Sequence, residues 1–180
     1  MYLSRSELAA FDFLSDAAKC RIILTWVRAL VETNKLILSE FHAPILYDSG
    51  VRYAFQGDTD DWQDIARCLA TRAASCNSLA AWRCAELQMA GEQATPYIQN
   101  QAVRKPNGER LDVFHVIVQR ELPPPHQWED PSRTLGMPSS DPSMAGARVI
   151  STASGVLVGD AGAFVGMGFP EDVDAPSWGD

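Results

Sequence analysis

The run Asp112-Val113-Phe114-His115-Val116-Ile117-Val118-Gln119 narrows the fold more than any other part of this chain. Its β-branched and aromatic content marks a strand. A half-buried strand alternates apolar and polar residues, but here the apolar residues are nearly continuous. That predicts cover on both faces. One ionisable side chain interrupts the run. His115 stands on the side shared by Val113 and Ile117. A histidine inside a strand is most often a core residue with its nitrogens satisfied by backbone, so its meaning depends on what else the chain brings to it.

Upstream the pattern is helical. Over residues 17–38, Ile23, Trp26 or Val27, Leu30 and Ile37 recur at three- and four-residue steps, and Ser15 or Asp16 suits the start. His42-Ala43-Pro44 ends this segment, and His42 reads as a surface or capping histidine. Asp48-Ser49-Gly50 is turn chemistry, and residues 51–55 alternate as a short strand. A second helix is expected over 59–72, capped by Asp58 or Thr59, with Trp62, Ile65 and Leu69 as its buried stripe. Good helix formers over 79–89 and a stop at Gly91 define a third. Residues 95–98 read as extended, and 105–109 as a turn leading into the His115 strand. The run of prolines at 123–125 is a stiff connector. From Ser139 onward the composition shifts to Ser, Gly, Pro and Ala. Residues 147–150 and 155–158 are expected to pair as a late hairpin before an acidic tail. The organisation predicted is an α+β domain over 1–138 with an extension over 139–180.

Composition removes several classes of function. The 180 residues suffice for one domain with a real core. A formal net charge of −8, with no basic run, argues against nucleic acid as partner. No apolar window approaches the length of a membrane span, and Glu7, Asp12 and Asp16 stand where a secretory leader needs basic and apolar residues. No membrane partner is expected. Cys20, Cys68, Cys76 and Cys84 are therefore expected to be reduced. With no CxxC pair and three histidines, neither a metal nor another cofactor is predicted. The acids at Asp58, Asp60, Asp61 and Asp64 lack the alternating ligands, glycine and closing Glu of a calcium loop.

Cys76 is placed where a loop becomes a helix, in Ala74-Ser75-Cys76-Asn77-Ser78. Unpaired N–H groups and the positive end of the helix favour a thiolate there, the nucleophilic form. An isolated cysteine more often simply packs. Three residues in order raise the chemical reading: Cys76, then His115, then Asp130 in the Trp128-Glu129-Asp130-Pro131 segment. Such a set needs an exposed thiol, an imidazole that holds or takes its proton, and a carboxylate that orients the imidazole. Taken singly, Asp130 before Pro131 is also a plain turn.

A cysteine opening a helix, a strand bearing Phe114-His115-Val116 and a strand ending in Asp130-Pro131 resemble the transglutaminase-like branch of the papain-like cysteine enzymes. Three phrases resemble, more narrowly, small proteins of this type encoded by tailed bacteriophages. They are Leu46-Tyr47-Asp48-Ser49-Gly50-Val51-Arg52-Tyr53, Ala80-Ala81-Trp82-Arg83-Cys84-Ala85-Glu86-Leu87, and Glu129-Asp130-Pro131-Ser132-Arg133-Thr134-Leu135-Gly136-Met137. The likeness covers roughly residues 20 to 137. It implies N-terminal helices followed by an antiparallel sheet, with the nucleophile at a helix N-terminus. It implies a thiol hydrolase or acyl-transferase acting on amide bonds of a protein or peptide. Cys76 would attack, His115 carry the proton and Asp130 orient His115, with Trp62 or Gln63 lining the cleft. It also implies a virion or host-cytoplasm location and contacts with other phage structural proteins, for which the polar, glycine-rich stretch 139–180 is the expected contact arm. The alternative it leaves is a non-catalytic structural or docking component of a phage head, connector or tail. The family usually carries Gly-Asp before the cysteine and an acidic pair after it; Ala74-Ser75 and Asn77-Ser78 depart from that. Glycine permits close approach of backbone to substrate, which an alanine restricts.

Overall fold

The computed structural model of the chain describes residues 13–55, 61–104, 106–108, 110–121, 127–138, 148–158 and 163–166. Helix α1 spans Asp16–Phe41 and starts at Ser15, whose hydroxyl accepts the Ala18 N–H at 3.3 Å. It ends at His42, an exposed residue in the left-handed region at φ 47°. His42 is thus a helix cap, as its place before Ala43-Pro44 suggests. Cys20, Ile23, Leu24, Val27 and Val31 form the buried stripe.

Helix α2 is Ile65–Thr71, shorter than the expected 59–72. Residues 61–64 are not helical, and the cap is Asp64, whose Oδ1 accepts the Arg67 N–H at 2.8 Å. Asp58 and Thr59 lie outside the described residues. Tertiary bonds explain the late start. The Gln63 N–H donates to Ser78 Oγ at 2.8 Å, and the Ile65 N–H donates to the buried Asn34 Oδ1 at 3.1 Å. Both groups would otherwise enter a helical ladder. Trp62 is buried edge-on against Trp26, ring centroids 5.7 Å apart. Of the expected stripe, Trp62 and Ile65 are buried and Leu69 packs at the margin.

Strands β1 (Arg52–Tyr53) and β2 (Ala73–Ala74) pair in parallel. Helix α3, Cys76–Met89, follows at once. Its end is a Schellman motif: Gly91, at φ +84°, donates its N–H to Gln88 O, and Glu92 donates to Leu87 O at 2.9 Å. Asn77 through Trp82, Cys84, Ala85 and Leu87 are all buried, so α3 is enclosed nearly all round. One side packs with α1 against the sheet, in a cluster including Val27, Val31, Ala81, Ile98 and Val116. The other, with Leu79 and Trp82, packs on Leu46, Val51, Ile65 and Cys68.

The main sheet contains β3 (Ala94–Arg104), β4 (Arg110–Arg120), β5 (Gln127–Glu129), β6 (Arg148–Val158) and β7 (Ala163–Gly166). Their order is β5-β4-β3-β6-β7, and every neighbouring pair is antiparallel. Val116 and Val118 face the helices, while Ile117 packs with Tyr97 and Trp128 on the other side. The apolar run is therefore covered on both faces, as its composition predicts. A short helix α4, Pro131–Thr134, follows β5.

The late hairpin differs from expectation. Residues 148–158 form one strand along β3, and its hairpin partner is β7. Gly155, expected to open the second strand of the hairpin, lies inside this one and pairs with Ile98 on one side and Gly166 on the other. Residues 148–158 and 163–166, within the segment read as an extension, belong to the same sheet as β3 and β4. Prolines 123–125 and the acidic tail lie outside the described residues. The architecture is α+β. Among the described residues no helix is long and apolar enough to cross a membrane.

Candidate active site

Cys76 is the first residue of α3, with Ser75 as its N-cap. The β1–β2 pair delivers the chain to that point: Tyr53 lies opposite Ala74, and the Ala54 N–H donates to Ala74 O at 2.9 Å. Ala74 is fully buried, in the cluster with Leu46, Val51 and Leu79. The Ala74 methyl is thus absorbed by the core. The Ser75 hydroxyl bonds the Asn77 side-chain oxygen, which also accepts the Ser78 N–H at 2.9 Å. Asn77 therefore supplies the capping oxygen that Ser75 does not. Cys76 is half-buried, whereas Cys20, Cys68 and Cys84 are fully buried, and all four are free.

His115 stands in the middle of β4 and is 1% exposed. Its Nε2 lies 2.8 Å from Asp130 Oδ2. An ionised carboxylate only accepts, so Nε2 carries the hydrogen and donates. The imidazole also hydrogen-bonds the Cys76 thiol, and with Nε2 committed to Asp130, Nδ1 is the nitrogen left for the sulfur. Burial pulls the His115 imidazolium down, but the hydrogen bonds to Asp130 and Cys76 and their charges outweigh it and lift the group to about 9.

Asp130 is held from several directions. It is the N-cap of α4, its Oδ1 accepting the Ser132 and Arg133 N–H groups at 3.0 and 3.2 Å. The Arg133 guanidinium lies 3.4 Å from Oδ2. Burial pushes the Asp130 carboxyl up, but His115 and Arg133 together hold it below its ordinary value. The Asp-Pro sequence is thus both a helix start and the imidazole's orienting group.

Next to it, Glu129 ties three distant segments together. Its Oε1 accepts from Tyr47 Oη and from Arg83 Nε, each at 2.5 Å, and Arg120 Nη1 lies 3.4 Å from Oε2. Arg83 also donates to Glu86 at 3.1 Å and lies 5.2 Å from the Tyr47 ring centroid. Glu86 in turn accepts the Leu46 N–H at 2.5 Å. Burial, and then the bond to Glu129, push the Tyr47 phenol far above its usual range. Burial likewise raises the Glu86 carboxyl despite Arg83. The Tyr53 N–H donates to Leu135 O at 3.0 Å. The phrases around Tyr47, Arg83 and Glu129, far apart in sequence, are one polar clamp in space.

The structure thus brings Cys76, His115 and Asp130 together. Trp62 packs in the cluster that Cys76 also touches, while Gln63 is tied to the first turn of α3 through Ser78. Two residues beside the triad escaped the sequence reading: Glu129, and Gln99 directly opposite His115. Gln99 had a legible signal. The turn read over 105–109 in the sequence centres on Asn107, and residues equally distant from Asn107, such as 99 and 115, pair across the hairpin. Among the described residues no group of three or more His, Cys, Asp or Glu is placed to hold a metal ion. Compared with family models, curated proteins and solved structures, the chain matches none.

Proposed function

We propose that the chain is a thiol acyl-transfer enzyme of the transglutaminase-like, papain-like type, acting on an amide bond. The observation that carries this reading is a single buried imidazole bonded at once to Asp130 and to a half-buried thiol at a helix start. An antiparallel sheet against the cysteine helix, with histidine on one strand and aspartate after the next, supports the family. The burial of the Ala74 methyl in the core, away from a substrate's path, supports this reading where the glycine is missing.

In the reaction, the Cys76 sulfur attacks the amide carbonyl carbon, with its proton held on His115. A C–S bond forms, and the carbonyl oxygen takes the charge. The Cys76 N–H, in the first turn of α3 and without an intrahelical partner, faces that oxyanion. The C–N bond then breaks, and the amine leaves with the proton from His115. Water opens the resulting thioester in hydrolysis, or a primary amine in acyl transfer. Asp130 orients the imidazole throughout and offsets its charge. The phrases shared with small phage proteins support a virion-borne or host-cytoplasmic role, with phage structural proteins as neighbours.

The test is alkylation with iodoacetamide, read residue by residue by mass spectrometry on the native chain. Cys76 is expected to react at least about 100-fold faster than the other three cysteines. Burial pushes Cys68 up to about 12 and Cys84 higher still, so neither competes. Equal labelling of all four would sink the enzyme reading and leave the docking-component alternative.

A further inference from the structure

Gln99 lies on β3 directly opposite His115. It is 4% exposed, and neither its carboxamide oxygen nor its nitrogen has a hydrogen-bond partner. Leaving one such group buried and unpaired costs ~1–3 kcal/mol, and here both ends are unpaired. Directly opposed residues of a ladder share a side of the sheet. The carboxamide therefore stands on the side where His115 reaches Cys76 and Asp130. The adjacent Asn100 is also buried and unpartnered, but it pairs with Phe114 and belongs to the opposite side.

A carboxamide presents a donor nitrogen and an acceptor oxygen side by side. The N–H and C=O of one extended residue point the same way, which is how antiparallel strands exchange paired hydrogen bonds. We propose that Gln99 is a substrate-binding residue whose carboxamide pairs with the N–H and C=O of an extended substrate residue beside the bond that Cys76 attacks. The substrate is accordingly a polypeptide, not an isolated amide or simple ester. Sites built to pair a polar group discriminate strongly against analogues that lack it, because their own buried groups are then left unpaired. This inference rests on the acyl-transfer reading.

The experiment compares alkylation of Cys76 by chloroacetone, by acetyl-alanyl-alanyl chloromethyl ketone, and by the analogue of the latter with ester oxygens in place of its peptide N–H groups. In the wild-type chain the peptide reagent is expected to outpace chloroacetone. The ester analogue should be slower than the peptide reagent by about tenfold, the worth of one lost hydrogen bond. Gln99→Met should lower the peptide-to-chloroacetone ratio by about the same factor. An ester analogue as fast as the peptide reagent would overturn the proposal, and so would an unchanged ratio in a folded Gln99→Met. The ester comparison needs no variant, so it decides the matter even if Gln99→Met fails to fold. Silence of Cys76 toward chloroacetone would be a different result: it would remove the acyl-transfer reading, and this inference with it.

Discussion

Replacing His115 by glutamine slows iodoacetamide alkylation of Cys76 by about 100-fold at neutral pH, the lower end of what a positioned base contributes. Glutamine retains a hydrogen bond to Asp130 but cannot hold a proton as a cation beside the sulfur. The other three cysteines serve as internal controls, and their rates stay as they are. Asp130→Asn has a smaller effect, about tenfold, because the imidazole remains while its orientation and charge balance are lost. An unchanged Cys76 rate in a folded His115→Gln would remove His115 from the chemistry.

The same pair sets a window of stability in pH. His115 is raised to about 9 in the folded chain against about 6.5 unfolded. Its contribution is complete below about pH 6.5 and is lost as the pH rises through 9. Asp130 is lowered, so its contribution is present above about pH 4 and is lost as the pH falls through the lower folded value. Between these limits both contributions are full, and melting temperatures decline on either side. The decline amounts to several degrees, at about 2–4 °C per kcal/mol for a chain of this size. In a Cys76→Ala background the alkaline limb persists, because Asp130 alone still raises His115. Its midpoint falls below 9 as the sulfur's share is removed. His115→Gln flattens that limb altogether.

What was legible in the sequence was whatever local chemistry decides. Ser15, Gly91 and the turn residues 106–108 do in space what their residue types dictate, and the continuous apolar run at 113–118 is covered on both faces. The order of Cys76, His115 and Asp130 was readable, and so was their placement on helix, strand and strand end. Misreadings came where distant groups override local preference. Asp58, Thr59 and Asp64 offer equivalent capping chemistry. The choice of Asp64 fell to Asn34 and Ser78, which claim backbone N–H groups from 31 and 15 positions away. The segments 147–150 and 155–158 look self-sufficient as a hairpin, but residues 148–158 run as one strand because β3 and β7 supply partners on either side. The role of Glu129 is not legible, since nothing local says that Tyr47 and Arg83 converge on it.

That convergence makes Arg83 the most consequential residue outside the triad. Arg83→Met is expected to cost about 3 kcal/mol, at the low end for breaking a buried ion pair because both partners keep some exposure. For a chain of this size that lowers the melting temperature by roughly 6–12 °C. Arg83 bonds Glu129, whose next residue is Asp130, and Glu86. A packing role alone would change stability and leave the thiol as it was. A positioning role also shifts Asp130, so Cys76 alkylation should fall at temperatures where the variant is fully folded. The double variant Arg83→Met with Glu129→Leu separates the two effects. Removing both charges relieves the unpaired Glu129 carboxylate and restores part of the stability, while Glu86 still lacks its guanidinium and Tyr47 its acceptor. The alkylation rate stays low, because the tie that fixes Asp130 is still missing. Arg83→Lys recovers only part of either property, since one ammonium cannot reproduce the fork that reaches Glu129 and Glu86 together. A folded Arg83→Met with wild-type melting and wild-type alkylation would show that the clamp neither holds the fold nor places the aspartate.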